Sequence, residues 1–102
     1  MSYQKVKLIR VAPNAVRDWF YIHEGTADHI VDVYREFRAV GLDWHLWNRG
    51  AASITVTLEG TYAITIPANT DRGFDNVKFS LISIAATDSF TLVLTGVERL
   101  AD

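Results

Sequence analysis

The chain has 102 residues, of which 49% are hydrophobic and 22% charged, with a net charge of −2 and no cysteine. This is the balance of one globular domain over residues 1–102, and it excludes disorder, disulfides and thiolate metal ligands. So small a charge offers no electrostatic footprint for nucleic acid or an anionic membrane, and no run approaches the roughly 18 apolar residues of a membrane span.

Met1-Ser2-Tyr3-Gln4-Lys5 leads directly into a strand-like pattern with no apolar signal core, so synthesis in the cytoplasm is expected. Tyr3–Val11 and Asp18–His23 read as strands around a Pro13-Asn14 turn. Residues 28–40 support two readings. Ile30, Val33, Tyr34, Phe37 and Val40 fit a helical stripe, with Asp28 as N-cap and Gly41 beyond the end. The β-branched Ile30-Val31-Val33 and the strand-rich surroundings favour a strand, with a short helix as the competing assignment.

Leu42, Trp44 and Leu46 alternate with Asp43, His45 and Trp47, and Asn48-Arg49-Gly50 follows as a turn. In Ser53–Ile66, Ile54, Val56 and Leu58 alternate with threonines, as do Tyr62, Ile64 and Ile66. A two-residue loop would put these apolar rows on opposite faces. The parity therefore requires an odd loop, with Gly60 left-handed in a bulged turn. In Asn76–Ile84 the phase slips by one residue near Leu81, which predicts a bulge or burial on both faces. Phe90, Leu92 and Leu94 mark a last strand within Ser89–Val97. About eight strands at this spacing predict an all-β, single-domain sandwich of jelly-roll type.

Motifs for chemistry are weak. His23, His29 and His45 share no metal-ligand spacing, and they read as surface or strand-edge residues. Ser53, Ser80, Ser83 and Ser89 lack a nucleophile-elbow setting. Glu24, Asp28, Asp32 and Glu36 suit a solvated face as well as acid–base work. Asp71-Arg72-Gly73 and Asp75-Asn76 lack the spacing of a calcium loop. No catalytic residue, metal or cofactor is expected.

Aromatic placement is more informative. With Trp44 on the core face, alternation sends Trp47 outward with His45. Trp19 and Tyr21 share a face with His23. An outward tryptophan is costly to leave wet, so Trp47, His45, Trp19 and Tyr21 form a candidate partner surface. The alternative is that a loop covers Trp47.

Asp43-Trp44-His45-Leu46-Trp47-Asn48-Arg49-Gly50, followed by Ser53–Gly60, Ile64–Ala68, Val77–Ser80 and Phe90–Gly96, resembles small all-β virion structural proteins of tailed bacteriophages. Capsid decoration, neck and tail components share this style of a Trp-Asn-x-Gly turn followed by Thr/Val strands. The likeness covers somewhat over half the chain and contains no diagnostic motif. It implies a non-enzymatic virion component that repeats by symmetry as a homo-oligomer against other virion proteins. The competing reading is a carbohydrate-binding sandwich or receptor-binding module. There Trp47, Trp19 or Tyr21 would stack on a glycan while Asp43 or Asn48 bonds its hydroxyls.

Overall fold

The computed structural model describes residues 2–9 and 16–99, with side chains from Trp19 to Val97. The strands are β1 (Ser2–Ile9), β2 (Val16–Gly25), β3 (His29–Asp32), β4 (Ala39–Asn48), β5 (Ile54–Leu58), β6 (Tyr62–Ile66), β7 (Asp71–Phe74), β8 (Leu81–Ala85) and β9 (Phe90–Arg99). One helical turn, α1 (Val33–Phe37), joins β3 to β4. The turn expected at Pro13-Asn14 lies outside the described residues.

Two antiparallel sheets form, in the orders β1-β2-β9-β4-β7 and β3-β8-β5-β6. The pairings are nested: β2 with β9, β3 with β8, β4 with β7 and β5 with β6. This is one long hairpin ribbon wrapped around itself, the topology of a jelly roll, with β1 added beside β2. The expected sandwich of jelly-roll type is therefore the observed fold. The strand missing from the sequence reading is β7, because Asp71-Arg72-Gly73-Phe74 has no apolar alternation.

The core is built from alternate residues of facing strands. Trp19 and Tyr21 on β2, Leu92 and Leu94 on β9, and Trp44 and Leu46 on β4 face Val31, Ile54, Val56, Ile66, Ile82 and Ile84 of the second sheet. The β5–β6 hairpin pairs Leu58 with Tyr62 across three residues, as parity requires. Gly60 is left-handed, and so is Glu59, at φ 68° and 55°. Positive φ at both positions forms a tight turn closed by the Thr61 N–H, which donates to the Leu58 carbonyl at 3.0 Å, and Thr61 is the extra residue that makes the loop odd. The glutamate tolerates its positive φ because its carboxylate is anchored, accepting from the Ser80 and Leu81 N–H groups at 2.7 Å each. Desolvation pushes the Glu59 pKa up, but these bonds outweigh it and hold the group below the ordinary range.

Both readings of residues 28–40 are partly realised. A short strand gives way to a single helical turn capped by Asp32, not Asp28. The Asp32 carboxylate accepts from Arg35 N–H at 3.0 Å, and Glu36 accepts from Asp32 N–H at 2.9 Å. This reciprocal pairing satisfies donors that a helix start otherwise leaves open. Arg38 ends the turn at φ 54°. Phe37 then packs on Trp19 and Tyr21, with ring centroids 5.4 and 5.3 Å away.

Candidate functional site

Nested pairing brings the connections 26–28, 49–53, 67–70 and 86–89 to one end of the sandwich. Three side chains fasten them. Asp28 accepts from Ala86 N–H at 2.9 Å. Asp88 accepts from Ala51 and Ser89 N–H, and these two bonds lower its pKa. Asn48 is buried. Its amide nitrogen donates to the carbonyls of Ala52, Ile66 and Pro67, and its oxygen accepts from Gly50 N–H. These bonds tie the four connections into one platform.

Beside it, on the outer face of the larger sheet, stand His45 and Trp47. Trp47 is 37% exposed, whereas Trp44, three residues earlier, is 2% exposed on the core side. The His45 and Trp47 rings lie 4.2 Å apart. Register sets Trp47 opposite Asp71, and the Asp71 carboxylate meets His45 Nε2 at 2.6 Å. An open groove of about 340 Å³ runs past Trp47, lined also by Asn48, Arg49, Asn69, Thr70 and Asp71. A second, of about 490 Å³, lies on the other side of Arg49 along Glu24, Thr26, Ser89 and Thr91. Arg49 Nε donates to Thr91 Oγ1 at 3.2 Å.

Of the four expected surface residues, His45 and Trp47 come together as an outward pair. Trp19 and Tyr21 are corrected. They are 1% and 3% exposed, because the face they share with His23 is the core face of β2. Alternation shows which residues share a face but not which face is buried. The glycan-bonding roles of Asp43 and Asn48 are corrected too. Asp43 already accepts from Asn76 N–H and Thr95 Oγ1, and the Asn48 amide is occupied as above.

His23 is likewise not a surface residue. It is fully buried, stacked on half-buried His29 with centroids 3.6 Å apart. Burial first, and then the neighbouring His29, pull the His23 pKa from 6.5 to about 4. Burial also lowers that of His29, against the opposing pull of Glu36. Tyr21 Oη contacts His29 Nε2 at 2.8 Å. Shared parity with Trp19 was the sequence signal for an inward His23. Among the described residues, no group of three His, Asp or Glu side chains is placed to hold a metal ion.

No family model matches the chain, and no curated protein matches it. Among solved structures, a cupin superfamily protein from Desulfitobacterium hafniense DCB-2 aligns over 94% of this chain and 79% of its own, at 9% identity and a TM-score of 0.36. So low a score transfers neither a site nor an activity.

Proposed function

We propose that this chain is a non-enzymatic structural protein of a tailed-bacteriophage virion, which docks on capsid, neck or tail and repeats by symmetry. On this reading it is made in the host cytoplasm, and its partners are copies of itself and other virion proteins, not nucleic acid or a membrane. The observation that carries it is the distribution of exposed apolar side chains. Ile30 is 63% exposed on β3, Tyr62 67% on β6 and Phe74 42% on β7. Those strands are three of the four sheet edges among the described residues.

Edge strands present unpaired backbone groups, and isolated proteins blunt them with charge or cover. Here large apolar groups stand at edges on several sides. A binding module with one ligand would gather such groups in one place, whereas a repeating subunit meets neighbours on several sides. The jelly roll is itself a frequent capsid architecture, although the fold alone does not fix a function.

Multi-angle light scattering and native mass measurement test the reading, together with protein identification in purified virions. A defined oligomer that Ile30→Asp or Tyr62→Asp splits, and the chain's presence in the particle, are the expected results. A strict monomer at high concentration, absent from any particle, would overturn it.

A further inference from the structure

A second feature points to a small ligand and does not depend on the assembly reading. The Trp47 groove combines one exposed aromatic face with a largely polar rim. Trp47 is held from one side by the His45 ring at 4.2 Å, and His45 is fixed in turn by Asp71 at 2.6 Å. The indole is therefore set in place before any ligand arrives, which removes part of the ordering cost of binding.

The rim has free valence of both signs. The Asp71 contact uses Oδ2, and Oδ1 has no donor among the described residues. Arg49 uses Nε on Thr91, while its terminal nitrogens make no ion pair among the described residues. Asn69 sits at the tip of the β6–β7 connection at φ 57°, and its side chain makes no hydrogen bond among the described residues. Thr70 Oγ1 donates to the Pro67 carbonyl at 2.7 Å and keeps its acceptor capacity.

We propose that this groove is a saccharide subsite, in which a pyranose stacks on Trp47 while Asp71, Arg49 and Asn69 bond its hydroxyls. The chemistry selects this class. An apolar ligand would leave the carboxylate and guanidinium unpaired, at a desolvation cost. A phosphate would meet a single cation beside an aspartate. A sugar ring offers one C–H face for the indole and a girdle of hydroxyls that can donate to Asp71 and accept from Arg49. The open groove suits a weak site for a chain end or a single residue of a longer glycan.

The test is a titration of the full-length, 15N-labelled chain, with the Trp47 indole N–H assigned from a Trp47→Phe variant. The probes are glucose, galactose, N-acetylglucosamine, glucuronate and N-acetylneuraminate. The expected result is a saturable shift of the Trp47 indole and the Arg49 and Asp71 amides with at least one sugar. Affinity should fall about tenfold or more in Asp71→Ala and Arg49→Ala, equivalent to the loss of a good polar contact. Both residues are exposed, so these variants fold even where Trp47→Ala does not. No shift with any probe would overturn the proposal, as would shifts undiminished in both variants. Neither outcome bears on the oligomeric state.

Discussion

His23 and His29 stack ring on ring with planes 3° from parallel, although one comes from β2 of the larger sheet and the other from β3 of the smaller. The pair bridges the two sheets inside the sandwich, below the loop platform. Gly25 has no side chain there because a Cβ would lie 2.7 Å from His23 Nε2.

This pair gives the fold a pH dependence with a definite sign. His23 titrates near 6.5 when unfolded and near 4 when folded. Between those values the unfolded chain binds the extra proton, so the His23 contribution to stability falls as pH drops from 6.5 toward 4 and is fully lost below. The thermal midpoint should fall by on the order of 15 °C across that window. His23→Phe should remove most of the slope, since it keeps a ring against Phe90 without a titrating nitrogen. Calorimetry at a series of pH values checks both, and an unchanged slope in His23→Phe would place its origin elsewhere.

Gly41 should be intolerant of any side chain. A Cβ there would lie 2.3 Å from the buried Phe79 ring, and the two residues exchange backbone hydrogen bonds at 2.9 Å. Gly41→Ala should cost about 2–3 kcal/mol, typical of overpacking in a tight core. Gly60→Ala is the control: its φ is +68° but nothing lies within 4 Å, so only the left-handed penalty of about 1–2 kcal/mol applies. Urea denaturation should rank them in that order, and Phe79→Leu should recover part of the Gly41→Ala loss.

Most of the architecture was written in periodicity, and the failures have physical causes. The odd loop after Leu58 followed from parity alone. The phase slip near Leu81 is neither a bulge nor two-faced burial: it marks where the Gly41–Phe79 bridge ends and β8 begins, and β8 pairs without a register shift and buries one face. Strand β7 was invisible because it carries one large apolar residue and sits at an edge, so nothing forces alternation. The Trp47–His45 pair was legible once Trp44 was taken as core. Asp71 and Arg49 were not, because register and loop nesting bring them to Trp47 and no local pattern records either.

Asn48 should behave as a structural clamp. Truncation to Ala strands carbonyls of two loops and the Gly50 N–H, and should cost about 2–4 kcal/mol for a buried, multiply bonded amide. Asn48→Asp should be at least as damaging at neutral pH, because a carboxylate oxygen would then face the Ala52, Ile66 and Pro67 carbonyls. Equilibrium unfolding decides it. An Asp variant as stable as the native chain would mean the three carbonyl contacts carry little.

The two tryptophans of β4 should separate folding from binding. Trp44 is buried and meets Phe74 edge-on at 5.7 Å, so Trp44→Ala should cost about 3–5 kcal/mol. Its indole N–H is buried without an acceptor among the described residues. Trp44→Phe should therefore be much milder than its loss of volume suggests, since it also removes an unsatisfied donor. Trp47 faces outward and, among the described residues, its ring meets that of His45, so Trp47→Ala should cost about 1 kcal/mol or less in the isolated chain. Its effect should appear in whatever binds that face, since an exposed, pre-set indole contributes most when a partner or ligand covers it. Measuring unfolding of all three variants by denaturant, alongside light scattering and the sugar titration, separates the two roles. If Trp47→Ala proved as destabilising as Trp44→Ala, the outer His45–Trp47–Asp71 cluster would be a structural brace between β4 and β7 and not a recognition surface.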